Sequence, residues 1–576
     1  MNTLNEHTIM RKRWELVEYD VNEATTLQQQ LGIHPIFCQL LVQRGINTYD
    51  KAKHFFRPQL SHLHDPFLMM GMERAVQRIG QALVKKEKIL VYGDYDVDGT
   101  TAVALLYSFL GRYHDLVEFY IPNRYAEGYG ISLKGIDYAL EQNCSLMIAL
   151  DCGIKAHDAL RYAQEKALDV IVCDHHLPDT TLPPAYAILN PKQPNCPYPY
   201  KELSGCAIGF KLIEAFAQFY NLDFEENVQP FLDLVAVSLA SDFVALTGEN
   251  RVLASFGLKQ LNKQPCLGLQ ALMEALGKTK DYNIRDVVFG IAPHINAAGR
   301  LEDALLAVQL LTAPNLATAE HLAEQLIELN EKRRYIEQDI VRQAQQLIQQ
   351  DIGFAERRAL LLYHPDWHQG VLGIVAAKMV DQYHKPCLVL TKANGRLVGS
   401  ARSSGNFDIH AALEQCEDLL IHFGGHPFAA GLTLKESNWE AFVARFEGLA
   451  QQAISAEAAL PIQAIDAYLS LPTIKDSFWQ LLKQFAPFGP QNMRPVFASQ
   501  QVVDTGYSKL LNQKHLKLIL QQNHSTPVEG IAFRQGHHFE ALKAKKPFEL
   551  CYVLEENYFK GRTKLQLNVK ELHFRS

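Results

Sequence analysis

The sequence predicts an α/β protein: two α/β lobes joined by a long helix, followed by a small C-terminal β-barrel. Three observations carry that expectation. Between about residues 86 and 245 short apolar runs alternate with helical stretches, as in a parallel sheet covered by helices on both faces. Residues 315–350 contain no Gly or Pro and place apolar residues at helical spacing. From about residue 460 the chain becomes a succession of short alternating stretches separated by turns, the pattern of a small barrel.

Residues 1–80 read as helical, in stretches such as HPIFCQLLVQRGI and MERAVQRIGQALVKK, and are expected to pack on the first lobe. Residues 81–314 form that lobe. Its predicted strands include KILVYGD, LVEFYIPN, SLMIALD and DVIVCDHH, with helical patterns such as TAVALLYSFLGRY and HDALRYAQEKA between them. The stretch 315–350 carries Leu316, Ala319, Leu322, Ala323, Leu326, Leu329, Ile336, Ile340, Ala344 and Leu347 at helical spacing. As one helix it spans roughly 50 Å, and it reads as a connector between two lobes, the alternative being a coiled-coil seam. Residues 351–455 form a second α/β unit, from ALLLYHPDW through GVLGIVAAKMVDQY and PCLVLTK to RLVGSARSS, and residues 456–576 form the barrel.

At 576 residues the chain is too long for one core, and 48% hydrophobic with 21% charged residues is ordinary for a soluble globular protein. The N-terminal stretch lacks a signal-peptide core, and no apolar run approaches the ~20 residues a membrane helix needs. The ten cysteines include no C-x-x-C pair, which argues against a structural zinc site or a disulfide framework and fits a reducing cytoplasm. The net charge is −7, but residues 461–576 carry 15 Lys and Arg against 9 Asp and Glu. A basic module on an acidic body suits a polyanionic ligand held at one end.

Ligands of parallel α/β sheets sit beyond the carboxyl ends of the strands. The first predicted strand runs into VYGDYDVDGTTA, with Asp94, Asp96 and Asp98. Later segments end in Asp151, in Asp174, His175 and His176, and in Asp242 within FLDLVAVSLASDFVAL. A single Asp after a strand is usually a turn former or a helix cap. The first stretch lacks the twelfth-position Glu of an EF-hand. Four such segments in one lobe point instead to carboxylates gathered around cations, because close carboxylates repel unless neutralised. Oxygen ligands with one or two imidazoles suit Mn²⁺ or Mg²⁺, and two such ions side by side cleave phosphate esters.

GDYDVDG, LDCG, DHH and SLASD, in this order, resemble the four motifs of the DHH phosphoesterase superfamily, and GGHPFAAG at 424–431 resembles the glycine-rich signature of its DHHA1 domain. INAAGRL, WHQGVLGIVAAK, GSARS and the β-rich tail resemble the RecJ family within it, over nearly the whole chain. The resemblance implies DHH- and DHHA1-type lobes, an oligonucleotide-binding (OB-like) barrel, and a metal-dependent 5′→3′ exonuclease that degrades single-stranded DNA to mononucleotides in recombination and mismatch repair. It implies a single-strand-binding protein and a repair helicase as partners, no membrane, and a cytoplasmic location. It assigns metal contacts to Asp96, Asp98, Asp151, His175 and Asp242. Asp98, His175, His176 and Asp94 are the candidate catalytic groups, with His176 near the scissile phosphate. The superfamily often has a ligand His four residues before the first ligand Asp. Tyr92 stands there in this chain, so Asp94 is the candidate to fill the gap.

Basic and glycine residues complete the expected site. Arg124 follows the second strand; Arg300, Ser400 and Arg402 are candidate phosphate clamps, since guanidinium binds phosphate bidentately. Gly424 and Gly425 let backbone approach a phosphate closely, the alternative being a helix-start turn, and His426 is a candidate donor. In the tail Tyr507, Lys509, Lys514, His515, Lys517, Arg534, Tyr558, Lys560 and Arg562 are candidates for holding a single strand. Rival functions are a phosphodiesterase on short oligonucleotides or cyclic dinucleotides, and a non-catalytic nucleic-acid-binding relative. The tail argues against the first and the intact carboxylate set against the second.

Overall fold

The computed structural model describes residues 12–351, 353–354, 356–405, 407–454, 462–559 and 562–574. The chain divides into two units. One comprises Trp14–Ala292, Leu310–Leu316 and the chain from Ala464 onward; the other comprises Pro293–Gln309 and Ala317–Gln463 with a short N-terminal stretch.

The first unit is built on a five-stranded parallel sheet in the order Val117–Tyr120, Lys88–Gly93, Cys144–Leu150, Asp169–Cys173, Ala187–Leu189. Its central strands are continuous apolar runs because both faces are covered. Leu90, Tyr92, Met147, Ala149 and Val172 meet Ile136, Ala139, Leu160 and Ala163 of the helices Leu133–Glu141 and His157–Glu165. On the other side lie Val97–Leu110, Gly205–Phe219 and Leu232–Ser241, nearly all of whose residues are buried. FLDLVAVSLAS is thus a helix rather than a strand, and Asp242 caps its C-terminal end.

The C-terminal part of this unit is the barrel. Phe497–Asp504, Phe548–Phe559, Arg562–Phe574, Val528–Ala532 and His515–Gln521 pair in that order. Val503 and Asp504 pair back onto Gln521 and Leu520, which closes the ring. The helices Val21–Leu31, Pro35–Val42 and Tyr49–Phe56 do not pack on the parallel sheet as expected from the sequence. Leu27, Phe37, Leu40, Leu41 and Phe55 share one core with Phe478, Phe485, Phe497, Leu518, Phe548 and Leu567 of the barrel region. Met72–Lys85 lies against the first lobe, touching Gly205–Phe219 and Ala187–Leu189, and the short 3₁₀ turns Leu60–His62 and Pro66–Leu68 touch helices of the same lobe. Apolar periodicity shows that a helix face is buried but not what buries it.

Arg251 ties the barrel region to the helices that follow the sheet. Its guanidinium is buried without a carboxylate partner among the described residues. It donates to the carbonyls of Phe55 (3.0 Å), Phe485 (2.9 Å), Pro487 (3.4 Å), Gln484 (3.0 Å) and Ala486 (2.8 Å). Burial, with Arg44 nearby, pulls its pKa down to about 9. Arg251→Ala leaves those carbonyls unpaired and is expected to destabilise the protein by about 3 kcal/mol. Arg251→Lys should recover only part, because an ammonium cannot reach five acceptors in a fork. Thermal unfolding by circular dichroism checks this; equal melting of all three proteins would show that the clasp contributes nothing.

In the second unit the sheet order is Leu420–His426, Ala429–Leu434, Arg396–Arg402, Cys387–Ala393, Leu360–Tyr363, with only the last pair parallel. The long helix is present as Leu316–Gln350 and begins where the chain leaves the first unit. Its Ile340, Ala344 and Ile348 pack with Leu360, Leu362, Val375 and Met379, while Phe442, Phe446 and Ala450 of Trp439–Ala453 cover the other face. Among the described residues no helix is long and apolar enough to cross a membrane.

Candidate metal centre

The parallel sheet delivers its acidic groups to one edge. Asp94 directly follows Lys88–Gly93, and Asp96 caps the next helix by accepting from Gly99 N–H at 3.0 Å. Gly99 is required here: a Cβ on it would lie 2.4 Å from the carbonyl oxygen of Asp94. Asp151 follows Cys144–Leu150 with a φ of 61°, a left-handed backbone rare outside glycine and asparagine. A Cβ on Gly205 would lie 2.5 Å from the Cβ of Asp151, so the helix start at Gly205 seats directly on that aspartate. Asp174, His175 and His176 follow Asp169–Cys173.

These groups converge. Nε2 of His175 lies 3.2 Å from Asp151 Oδ1, 3.6 Å from Asp242 Oδ2 and 3.9 Å from Asp98 Oδ2. Ligand atoms of Asp94, Asp96 and Asp151 lie within 4.8 Å of one another, as do those of Asp98, His175 and Asp242, and those of Asp151, His175 and His176. Asp94 Oδ1, Asp151 Oδ1, Asp242 Oδ2 and His175 Nδ1 are buried without a hydrogen-bond partner. Buried polar atoms are rarely left so, and three such carboxylate oxygens, two of them within 3.6 Å of Nε2 of His175, fit the ligand shell of hard divalent cations. The residues present therefore fit a pair of Mn²⁺ or Mg²⁺ ions.

Electrostatics agree with that fit. Burial first, and then the neighbouring carboxylates, raise Asp94, Asp96 and Asp151 above the usual carboxylate range. The same causes push Asp242 up to about 9. Burial and the charge of His176 lower His175 to about 4, which keeps its imidazole neutral and able to ligate.

Asp98 is held more tightly than the others. It accepts from Gly205 N–H (2.6 Å), Cys206 N–H (2.8 Å) and Ser238 Oγ (2.6 Å), at the N-terminus of Gly205–Phe219. Tyr92 is no ligand: it is fully buried, donates to Gly130 O at 2.8 Å and accepts from Ser132 N–H at 3.2 Å. Arg124 stacks 4.2 Å from the Tyr95 ring, and its charge lowers the pKa of both Asp94 and Asp96 against the effect of burial.

His176 carries a positioning partner that the sequence motifs leave without a role. Asp174 Oδ1 sits 2.7 Å from His176 Nδ1, and Oδ2 accepts from Ile154 N–H at 2.9 Å. Burial alone would raise Asp174, but the hydrogen bond and charge of His176 outweigh it and hold the carboxylate down at about 2. The same bond raises His176 despite burial. The hydroxyl of Tyr129 also reaches this histidine (3.1 Å) and the carbonyl of Asp151 (3.3 Å). The signal for Asp174 is its place in the DHH triplet; nothing in the sequence singles out Tyr129.

The second unit gathers Arg300, Ser400 and Arg402. Arg402 Nη1 donates to Ser400 Oγ at 3.0 Å and Ala401 O at 2.8 Å, and has no carboxylate partner among the described residues. Burial lowers its pKa. A Cβ on Gly373, in the first turn of Leu372–Tyr383, would lie 2.8 Å from Arg402 Nη2 and 3.0 Å from Ser400 Oγ. Arg300 Nη1 donates to Gly370 O at 3.2 Å just before that turn. Two guanidiniums, a hydroxyl and a helix N-terminus are groups that could together receive an anion. Gly424 and Gly425 lie in a strand, not at a helix start. A Cβ on Gly425 (φ 145°) would lie 2.3 Å from Ala429 O. The register rows Gly424–Gly431–Ser400 and His426–Ala429–Arg402 put Gly424 and His426 on the same sheet face as Ser400 and Arg402. Lys514 and Lys517 belong to the barrel, beside and within His515–Gln521, and Lys517 pairs with Glu529 at 3.7 Å. Lys560 lies outside the described residues.

The domain model for the DHH family, N-terminal domain, matches residues 88–239, the DHHA1 domain matches 356–452 and the RecJ OB domain matches 465–571. A protein of Bacillus subtilis named single-stranded-DNA-specific exonuclease RecJ is 35% identical over 97% of this chain and 71% of its own length. The crystal structure of RecJ from Thermus thermophilus in complex with Mn²⁺ superposes with a TM-score of 0.84 at 28% identity, covering 98% of this chain and 80% of that one. The Mg²⁺ complex of RecJ from the same organism gives a TM-score of 0.78 at 26% identity, covering 98% and 79%.

Proposed function

The chain belongs to the RecJ family of single-stranded-DNA-specific exonucleases, and we propose that it hydrolyses single-stranded DNA from the 5′ end to mononucleotides, using Mn²⁺ or Mg²⁺, in recombination and mismatch repair. The observation that carries this reading is the cluster of buried, unpaired carboxylate oxygens on Asp94, Asp151 and Asp242, the last two beside Nε2 of His175. Asp94, Asp96 and Asp151 would hold one ion and Asp98, His175 and Asp242 the other. Bound there, the ions supply an activated water and neutralise charge on the phosphoryl oxygens.

The protein's own groups do the rest. Asp174 fixes the imidazole of His176, which is one-third exposed and so available to donate to the scissile phosphate. Arg124 adds positive charge beside Asp94 and Asp96. The Ser400–Arg402 pocket recognises a terminal phosphate. In this reading the protein works in the cytoplasm with a single-strand-binding protein and a repair helicase.

Strands labelled at the 3′ end test the reading. Mn²⁺-dependent loss of 5′ nucleotides from single strands, with duplexes and cyclic dinucleotides spared, is expected. Faster cleavage of dinucleotides than of long strands would favour the short-substrate phosphodiesterase instead.

The barrel makes a separate expectation. Because its core is continuous with the N-terminal helices, charge removal is a cleaner probe than truncation. If Lys514 and Lys517 each touch a phosphate, changing both to Gln should reduce the slope of log affinity against log salt by about 1.4. An unchanged slope in a binding titration would take both lysines out of the strand path.

A further inference from the structure

Asp242 leaves the end of Leu232–Ser241 facing His175, and the next residue is Phe243. Within DFVAL the structure buries Val244, Ala245 and Leu246 but leaves Phe243 92% exposed. The buried residues are pinned. Leu246 N–H donates to Pro490 O at 2.9 Å, and Ala245 O accepts from Tyr200 Oη at 3.1 Å and from the Asn250 amide at 3.0 Å. The outward turn falls on Phe243 itself, whose φ of 29° lies in the left-handed region that bulky side chains rarely adopt. Strain of this kind persists where the surrounding structure imposes it, and it concentrates at ligand sites.

A phenyl ring held in water is unfavourable on its own. Beside carboxylates arranged for phosphodiester cleavage, one ligand class offers both a phosphate for the metal cluster and a planar apolar face for the ring: a nucleotide. We propose that Phe243 is a stacking platform for the base of one of the two nucleotides flanking the scissile phosphate, setting that phosphate over Asp242 and His175. Every base has a π-face, so the contact is indifferent to sequence. The inference rests on the exonuclease reading and adds a substrate-binding residue to it.

The test is single-turnover release of the first nucleotide from 5′-labelled strands that are intact or lack the base at position 1 or at position 2. In the wild type, removing the stacked base should slow release about tenfold. Phe243→Ala should slow the intact strand by a similar factor, and the missing base should then make no further difference. Phe243→Trp should restore the rate, whereas Phe243→Leu, apolar but without a ring, should not. Multiplying effects at both positions, equal rescue by Leu and Trp, or a Phe243→Ala protein that melts well below wild type would each overturn the stacking role. No release from intact strands by the wild type would instead overturn the exonuclease reading.

Discussion

Asp151→Asn is expected to lower Mn²⁺-dependent release of nucleotides from single-stranded DNA by on the order of a thousandfold or more while leaving the protein folded. Asp151 belongs to the group that would hold one ion, and its Oδ1 lies 3.2 Å from Nε2 of His175 in the group that would hold the other, so its loss disturbs both candidate positions. Asparagine is the informative replacement. It tolerates the φ of 61° at this position, where alanine would be strained, and it keeps the volume on which Gly205 seats. His175→Ala and Asp96→Ala should be nearly as inactive. Calorimetric titration with Mn²⁺ should show weaker binding in each. A folded Asp151→Asn protein that cleaves at close to the wild-type rate would remove this residue from the ligand set.

The same carboxylates make the chelated protein sensitive to pH in a predictable direction. Burial and mutual repulsion raise Asp94, Asp96 and Asp151, and Asp242 reaches about 9. A carboxyl group raised in the folded state binds its proton more tightly there than in the unfolded chain. The associated stability is present at low pH and is lost as pH climbs from the ordinary carboxylate range through the folded value. His175, lowered to about 4, works oppositely, since stability rises with pH up to its ordinary value of 6.5. Above pH 7 only the carboxylates act, so the melting temperature in chelator should fall between pH 7 and 9. Mn²⁺ should reverse that fall, because it binds only the folded arrangement, and Asp151→Asn should shrink it. A melting temperature that rises across this interval would contradict the buried repulsion.

The parts of this molecule legible in its sequence are those set by local pattern. Apolar runs ending in Asp94, Asp151 and Asp174 announce buried parallel strands, and strand topology then brings their ends to one edge. The uninterrupted helix and the alternating tail are equally local. What stays hidden depends on packing at a distance. Leu27, Phe37 and Phe55 show a buried face, yet only the fold reveals that the barrel region buries it. Asp242 reads as a strand-end residue until the helix around it is seen. Tyr129 reaches Asp151 and His176 through a glycine-flanked loop whose path no periodicity encodes. Phe243 sits in an apolar run that reads as core, and a single strained φ turns it outward.

Arg402→Ala is expected to slow digestion of 5′-phosphorylated strands about 10- to 100-fold and to reduce the preference for 5′-phosphate over 5′-hydroxyl ends. Metals alone cannot distinguish the two ends of a strand, so polarity needs a group that recognises a terminus. Arg402 has the right character. Its guanidinium is partly buried, has no carboxylate partner among the described residues, and lies with Ser400 against the first turn of Leu372–Tyr383. A half-buried cation without a counter-charge is poised to receive an anion, and a charge-assisted phosphate contact there contributes about 1.5–3 kcal/mol. That range converts to the stated factor, which should appear mainly in KM for phosphorylated ends and hardly at all for hydroxyl ends. Arg402→Lys keeps the charge but loses the fork, so it should fall between wild type and alanine. The measurement is a comparison of the three proteins on both kinds of end, with the label at the 3′ terminus and Mn²⁺ affinity measured in parallel. An unchanged end preference in Arg402→Ala would sink the pocket, and digestion that begins at 3′ ends would sink the polarity itself.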